Sequence, residues 1–354
     1  MVKKKAASKW VIGTLTAVVL LLAAFAGICI YVDPFCHYHA PLRGYDYSTA
    51  DQAQYVNPGL IKTFDYDGVI TGTSMTDNFK TSEAENLFGG MFIKVPLCGG
   101  YFKDINYQIN ETYAHGKHPQ YVIRSLDIAS IAADKDTAAR DIDDLDYLYN
   151  DDIFDDVDYL FNFDVFYRIV ELLKHPKADD GVPFDFDKYC SWDYPTGKEA
   201  VKAVYSTGYI PEKTVFTPED REQLLENIRC NITDIANAHS ETTFICFFPP
   251  YSICVWARLH TADSLQWTIE ADRIAAEELL KCPNIKLFGF DNHYDLICNL
   301  DNYRDAFHYS ADINSELLKM MADGTSMLTL DNYEDYFDDI ERFYSEYDYS
   351  RIWE

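Results

Sequence analysis

The sequence predicts an α/β fold, a three-layer αβα sandwich around a roughly five-stranded parallel sheet, preceded by one N-terminal transmembrane helix. Three observations predict it: five short apolar runs, helical patterns between most of them, and one long uncharged segment near the N-terminus. Hydrophobic residues make up 48% of the 354 residues and aromatic residues 15%. That composition excludes a disordered or low-complexity chain.

The five apolar runs are predicted to be buried parallel strands. They lack clean alternation of apolar and polar residues, and each ends in turn residues, as strands covered on both faces do. Strand–helix alternation with right-handed crossovers places helices on both faces of one flavodoxin-like sheet. The predicted strands are 67–73, 91–97, 120–126, 242–248 and 284–290.

Three helices are predicted in the second half of the chain. Thr217 caps a helix that runs to about residue 238, because a proline and two acidic residues follow it. A second helix is predicted over 262–281, and Ser310 caps a third that runs to about residue 322.

The sequence predicts one large α/β domain after a membrane anchor. The segment 130–216 interrupts the strand–helix alternation and is predicted to be an insertion that covers or flanks the sheet edge. Its aspartate run is interpreted as a solvated helix face, because no EF-hand glycine or glutamate occurs at calcium-loop spacing. The predicted parts are a basic stub (1–9), an anchor (10–32), a connector (33–60), an α/β domain (61–327) with that insertion, and an acidic aromatic tail (328–354).

The uncharged segment 11–32 is long enough to span the hydrocarbon core of a membrane as a helix. Four lysines precede it, so the positive-inside rule predicts a cytoplasmic N-terminus and places residues 33–354 on the extracytoplasmic side. The alternative is a cleaved signal peptide, with a small-residue site at Ala24-Phe25-Ala26. An uncleaved anchor is favoured, because the apolar run exceeds the usual signal-peptide core and continues past Ala26.

The charge balance argues against binding to nucleic acid. The chain carries 58 acidic and 30 basic side chains, a formal charge of −28. Only four of the basic residues lie before the apolar segment, so the rest of the chain carries −32. Contact with phosphates needs clustered lysine and arginine, which this composition does not supply.

No cofactor or metal is expected from the sequence. The nine cysteines are scattered without CxxC spacing, which indicates neither a disulfide framework nor a zinc site, and the sequence does not pair them. The Cys36–His39 stretch is explained more simply as a juxtamembrane amphipathic segment than as a metal site. His115 and His118 lack a carboxylate spaced to complete a zinc site, and no glycine-rich phosphate loop is present.

A candidate nucleophile follows the first predicted strand, in Gly72-Thr73-Ser74. Ligands of open α/β sheets bind at the carboxyl ends of strands, where Ser74 would emerge. Ser74 is also expected to begin a helix, whose free N–H groups stabilise an oxyanion, and Gly72 permits the tight turn. The alternative is that this serine only caps a helix.

A candidate base lies far downstream, in the Asp305-x-x-His308 motif before the last predicted helix. A serine hydroxyl needs a base to remove its proton, and imidazole does this near neutral pH. A carboxylate on the other ring nitrogen fixes the tautomer and stabilises the imidazolium. Chance is the alternative in so acidic a chain, but the placement of both motifs at strand ends favours a catalytic pair.

The two motifs, in this order of blocks over roughly residues 55–325, resemble the SGNH/GDSL hydrolase superfamily. The chain is most similar to its membrane-anchored extracytoplasmic branch of surface-polymer acyltransferases, such as the D-alanyl transfer protein of teichoic-acid systems. The resemblance implies Ser74 as nucleophile, His308 as general base and acid, and Asp305 as the residue that orients His308. It implies a serine acyltransferase or esterase that acts on cell-surface carbohydrate through an acyl-serine intermediate.

The chain departs from the family pattern in the third block. The familiar Gly-x-Asn-Asp is absent: after the third strand the chain has Arg124-Ser125-Leu126-Asp127, with no asparagine to donate to the oxyanion. Either Asp127 plays a different part or the site has fewer donors. Gly99 or Gly100 is expected to supply a second-block N–H, and Tyr251 to line the pocket. Since losing one oxyanion donor costs about 2.7–4 kcal/mol of transition-state stabilisation, a second hypothesis is a non-catalytic surface module that binds glycan or a membrane partner.

The expected partner is a surface glycan or an acylated small molecule, and the resemblance also admits a membrane acyl-donor protein. The acidity argues against broad contact with anionic polymers, so a neutral glycan fits better. An anionic substrate would have to be held locally, with Lys94, Lys103 and Arg124 as the expected nearby cations.

Overall fold

The computed structural model describes residues 2–49, 52–141, 143–150, 152–174, 176, 182–206 and 213–353. These residues divide into two compact units, one from Met1–Thr63 and Ile142–Asp185, the other from Phe64–Asp141 and Phe186–Glu354.

The first unit is helical. Its N-terminal helix contains Ser8–Val32, which is long and apolar enough to cross a membrane. The aspartate run within it forms short helical turns. The helices are Val2–Val32, Ala53–Thr63, Asp146–Tyr149, Val157–Leu160 and Phe163–Lys174, with 3₁₀ turns at Tyr47–Thr49 and Asp143–Leu145.

The chain after the N-terminal helix is held by a buried aspartate. Asp33 accepts hydrogen bonds from the backbone N–H groups of His37, Tyr38 and His39 at 2.8–2.9 Å. His37 Nε2 lies 3.0 Å from Asp156 Oδ1. Asp33 and Asp156 therefore hold the backbone of this stretch and the Nε2 of His37 in place.

The second unit contains a six-stranded, mostly parallel sheet in the order β2-β1-β3-β4-β5-β6. The first five strands are parallel and coincide with the five predicted runs; the short β6 pairs antiparallel with β5. Two residues are too few to give a sequence pattern, which is why β6 was not expected. The strands are β1 (Gly68–Gly72), β2 (Phe92–Pro96), β3 (Tyr121–Ser125), β4 (Thr243–Phe248), β5 (Ile285–Gly289) and β6 (Met327–Leu328).

Helices connect these strands. The predicted helix after Thr217 is present, and Thr217 and Asp220 form a capping box at its start. The helices of this unit are Thr81–Phe88, Phe102–Ala114, Ile128–Ile131, Lys198–Val204, Pro218–Ile228, Asp234–Ala238, Ile253–Thr261, Leu265–Leu279, Tyr294–Ile297, Ala311–Asp323 and Tyr333–Glu346, with a π-helical turn at Arg229–Thr233 and 3₁₀ turns at Ser74–Thr76, Leu300–Asn302 and Tyr349–Trp353.

One helix prediction is wrong at its start. The helix expected over 262–281 begins only at Leu265, and a separate helix, Ile253–Thr261, precedes it. The break falls at Asp263, whose φ of 52° lies in the left-handed region and interrupts the helical hydrogen bonds. The missed helix matters for function, because it forms part of the wall of the cavity described below.

The C-terminal tail forms an amphipathic helix, as its pattern predicts. Tyr336, Phe337, Ile340 and Tyr344 of the helix Tyr333–Glu346 are buried. Tyr344 stacks on Trp256 with ring centroids 3.9 Å apart. All nine cysteines lie within the described residues and are free thiols.

The strand order creates a crevice at the carboxyl ends of the strands. β1 pairs with β2 on one side and with β3 on the other, so the connections after β1 and β3 leave the sheet in opposite directions. Such a switch point is where open parallel sheets bind ligands. Ser74 and Asp127 follow these two strands directly.

Candidate active site

Ser74 lies in a single 3₁₀ turn at the end of β1. It does not begin an α-helix as expected; the next α-helix starts at Thr81. The side chain that caps the turn belongs to Thr73, whose hydroxyl accepts from the N–H of Met75. Ser74 is therefore not used as a cap, and its half-buried hydroxyl is directed to another partner.

That partner is the imidazole of His308, contributed by a segment more than 200 residues away. Ser74 Oγ lies 2.8 Å from His308 Nε2, within the range of a direct hydrogen bond. His308 Nδ1 lies 2.8 Å from Asp305 Oδ2. With Nδ1 protonated toward the carboxylate, Nε2 is the acceptor for the serine proton.

Asp305 is held ionised by its surroundings. Burial raises its pKa, but hydrogen bonds from His308 and from the backbone N–H of Phe307 outweigh burial and lower the pKa to about 2. The Nε of Arg304 lies 3.5 Å from Asp305 Oδ2. A carboxylate of this kind keeps its charge through the physiological range and stabilises a protonated imidazole beside it.

The segments that carry the serine and the histidine are tied to each other. Tyr309 Oη donates to the carbonyl of Met75 at 3.1 Å, and Asn314 Nδ2 donates to the same oxygen at 3.2 Å. On the other side, Ser252 Oγ donates to the carbonyl of Ala306 at 2.6 Å. These bonds are buried, so they fix the position of the Asp305–His308 turn relative to the serine turn.

Two backbone N–H groups of the cavity wall are open. Those of Ser74 and Gly99 have no acceptor in the described part of the chain, and both residues line the same cavity. The N–H of Gly100 is instead bonded to the carbonyl of Leu97 at 2.8 Å. Of the two glycines expected to supply a donor, the structure leaves Gly99 able to do so and engages Gly100 in the turn.

Asp127 is an acceptor at the centre of a hydroxyl network. It accepts hydrogen bonds from Thr73 Oγ1 (2.8 Å), Ser125 Oγ (2.7 Å) and Tyr251 Oη (2.8 Å). Burial raises its pKa, and the three hydroxyls oppose that shift. It accepts from these hydroxyls instead of donating as the missing asparagine would, and it holds Thr73, the residue before Ser74.

A cavity of about 570 Å³ opens beside Ser74 and His308. Its wall is mostly apolar, and Tyr251 lines it as predicted. The sequence did not identify most of the wall, because it comes from helices whose faces are set only by packing. Residues that extend the cavity away from the serine are Ile128, Ala132, Val255, Arg258, Leu259, Trp267 and Lys213.

The cations expected near the site do not line this cavity. Lys94 is buried and donates to the carbonyls of Asp77 and Phe79, and Arg124 is buried against backbone carbonyls. Lys103 pairs with Asp136 at 3.5 Å on the surface.

The cavity cations are instead Arg258 and Lys213, which sequence reasoning missed. The Arg258 guanidinium lies 5.3 Å from the ring centroid of Phe307, and Lys213 Nζ lies 3.7 Å from that of Trp267. Arg258 lies on the helix Ile253–Thr261, and it was missed because this helix was not predicted.

Comparison with known proteins assigns no family. No protein-family model, no curated protein and no solved structure matches this chain.

Proposed function

We propose that this chain is a membrane-anchored serine acyltransferase or esterase that acts on cell-surface carbohydrate through an acyl-serine intermediate. One observation carries the proposal: Ser74, His308 and Asp305 form a continuous hydrogen-bonded relay with contacts of 2.8 Å. Such a relay activates a serine, which a structural serine does not need. The proposal also follows the resemblance to SGNH hydrolases, including a three-layer arrangement of the α/β unit.

The proposed chemistry proceeds in two steps. His308 Nε2 takes the proton of Ser74 Oγ as the oxygen attacks the acyl carbon of the donor ester. The open N–H groups of Ser74 and Gly99 then bind the oxyanion of the tetrahedral intermediate. His308 returns the proton to the leaving oxygen as the ester bond of the donor breaks. In the second step His308 deprotonates the acceptor hydroxyl, or water, that attacks the acyl-serine, and it gives this proton to Ser74 Oγ as the acyl–Oγ bond breaks.

The cavity supports an acyl group larger than acetyl as the transferred group. Its volume of about 570 Å³ falls in the range of ligand pockets, and its apolar wall offers few partners to a sugar hydroxyl. An extended acyl chain fits such a wall, because apolar burial stabilises it by about 0.8 kcal/mol per methylene. The carbohydrate acceptor then approaches from the open side of the serine.

The N-terminal helix supplies the proposed location. Four lysines precede the apolar segment, and the positive-inside rule favours a cytoplasmic N-terminus with the α/β unit outside. An anchor holds the site beside membrane-delivered acyl donors and surface polymers, which favours transfer over hydrolysis.

A non-catalytic binding module is the second candidate, and Asp127 is the observation that favours it. A buried acceptor in place of a donor leaves two backbone N–H groups as the proposed oxyanion site. Labelling with a fluorophosphonate probe separates the two candidates, because the probe reacts only with an activated serine. We expect labelling of the full-length protein, none in Ser74→Ala, and wild-type labelling in the surface control Ser315→Ala. Absence of labelling in the folded wild type would favour the binding module.

A further inference from the structure

We infer that the segment from Ile153 to Leu173 inserts into the extracytoplasmic leaflet of the membrane beside the N-terminal helix. The inference rests on the membrane-spanning role given to that helix in the proposed function. It adds a second, interfacial membrane contact to the single-span anchor.

The segment contacts the N-terminal helix within the apolar span. The ring centroid of Phe25 lies 5.9 Å from that of Phe161 and 5.7 Å from that of Phe166. Cys29 Sγ lies 3.4 Å from the carbonyl oxygen of Leu160. The span ends at Val32. At a rise of 1.5 Å per residue, Phe25 lies roughly 10 Å inside that end.

A spanning helix therefore carries its contacting segment to the depth of the outer leaflet. Amphipathic interfacial helices insert their apolar faces to about 5–10 Å, which matches this position.

The helix Phe163–Lys174 has two apolar faces. Val165, Ile169 and Leu172 are buried within the unit. A second stripe is exposed, with Phe163 at 76% and Tyr167 at 57% exposure. One face is thus covered by the protein, and the other is exposed and apolar, as at an interaction surface.

The exposed apolar surface continues outside that helix. Phe154 is 86% exposed and Ile153 73% exposed. Asp152, Asp155 and Asp158 lie beside these two residues in the sequence, so this surface is not attracted to anionic lipid headgroups. Lipid acyl chains are the occupant that fits, because they match the aromatic side chains and the surface is continuous with the spanning helix.

Depth-dependent quenching tests the inference. Phe163→Trp and Phe154→Trp variants of the full-length protein are placed in nanodiscs whose phospholipids carry bromine on the acyl chains. We expect the added fluorescence to be quenched relative to unbrominated nanodiscs. Leu330→Trp, at a position 60% exposed in the α/β unit, is the reference variant measured in the same nanodiscs.

Retention of the wild type in membranes after alkaline carbonate extraction tests the anchor separately. Retention without quenching at Phe154→Trp and Phe163→Trp overturns the inference alone. Release by carbonate would overturn the anchor itself, so the two failures are distinguishable.

A different observation carries a second proposal. We propose that His118, His239 and Glu241 form a zinc site at the opposite end of the sheet from Ser74. One ligand atom of each lies within 4.8 Å of the others. His118 precedes β3 and Glu241 precedes β4, two paired strands whose amino ends are adjacent. Sequence spacing alone missed this group, because its members lie more than 100 residues apart.

Two of the three ligand separations match those of a tetrahedral metal site. Glu241 Oε1 lies 3.4 Å from His239 Nδ1 and 3.6 Å from His118 Nδ1. Both are longer than the 2.7–3.2 Å of ordinary N–H···O bonds. Zinc bonds of about 2.0–2.1 Å give a tetrahedral ligand separation of roughly 3.4 Å, which leaves the fourth position to water.

The ligands are held by rigid neighbours. The ring of Tyr113 stacks on His239 with centroids 3.4 Å apart, and Tyr113 Oη donates to Thr242 Oγ1 at 2.9 Å. Asn284 Nδ2 donates to the carbonyl of His239 at 3.2 Å. A bound zinc would therefore join a helix end to the starts of two strands.

Calorimetric titration of the chelator-treated full-length protein with zinc chloride tests this site. We expect the wild type to bind one zinc per chain. Binding is lost in His239→Gln and in Glu241→Gln, and it is retained in the control His115→Gln. Cobalt(II) substitution should give visible bands without the intense near-ultraviolet thiolate transition that cysteine ligands produce. Equal zinc stoichiometry in wild type and His239→Gln, or a thiolate spectrum, overturns the proposal.

Discussion

Replacing Asp305 by asparagine tests the proposed mechanism, because the exchange keeps the shape and changes one hydrogen-bonding group. Asp305 Oδ1 accepts from the backbone N–H of Phe307 at 2.8 Å and of His308 at 3.0 Å. In Asp305→Asn the amide oxygen must stay at that position, since both donors require an acceptor. The amide NH₂ is then placed where Oδ2 now faces His308 Nδ1.

The consequence is the wrong tautomer of His308. Nδ1 must accept from the amide, so the ring proton moves to Nε2, which faces Ser74 Oγ at 2.8 Å. A protonated Nε2 does not take the serine proton. The same exchange in a serine-protease triad lowers kcat about 10⁴-fold, equivalent to about 5.5 kcal/mol of activation free energy.

The assay is the rate constant of fluorophosphonate labelling, with p-nitrophenyl ester cleavage as a second measurement. We expect Asp305→Asn to lose three to four orders of magnitude and to unfold at nearly the wild-type temperature. The control is Asp295→Asn, the same exchange at an aspartate in the short helix Tyr294–Ile297. A labelling rate within tenfold of wild type would refute the tautomer argument and the role given to Asp305.

Three further outcomes are expected. In Gly72→Ala the new Cβ lies 2.4 Å from Ser125 Oγ at a φ of 143°, so the rate of fluorophosphonate labelling and the thermal stability both fall. The control Gly324→Ala has open space around the new Cβ at a φ of 82°, and it lowers the free energy of unfolding by only about 1–2 kcal/mol. In Leu259→Trp the cavity narrows, so cleavage of p-nitrophenyl decanoate falls at least tenfold while cleavage of p-nitrophenyl acetate is kept. Equal losses for the two esters contradict the proposal that the cavity holds the acyl chain. Burial raises the pKa of Asp291 to about 7, so the folded chain retains a proton that the unfolded chain loses above about pH 4. The contribution of Asp291 to stability therefore falls as pH rises from about 4 to 7. Relative to the wild type, Asp291→Asn gains up to roughly 4 kcal/mol of stability at pH 8, measured by denaturant unfolding. A gain independent of pH contradicts the assignment.

Local patterns predicted the strands and the two site motifs. The five strand runs are recognisable because burial on both faces selects continuous apolar residues, and each run coincides with a strand of the sheet. Ser74 and the Asp305-x-x-His308 motif were identified because strand ends and short spacings are local properties. The break at Asp263 was missed, since an aspartate in the left-handed region leaves the flanking helical pattern intact.

Long-range packing decided the rest. Lys94 and Arg124 were expected as cations near the site, but both side chains are buried and bonded to backbone carbonyls. The position of Asp127 was known, whereas its three hydroxyl donors come from three separate segments. Glu241 and His239 join His118 only because β3 and β4 are neighbours in the sheet.

The sequence by itself determined an α/β chain behind an apolar N-terminal helix, with a serine and an Asp-His pair at strand ends. These are properties of composition, hydrophobic pattern and short spacing. Only the tertiary structure decided that Ser74 Oγ meets His308 Nε2, that Asp127 accepts rather than donates, and that an apolar cavity lies beside them. The physical reason is that hydrogen-bond direction and cavity shape depend on side chains far apart in sequence, which only the packed fold brings within a few ångströms.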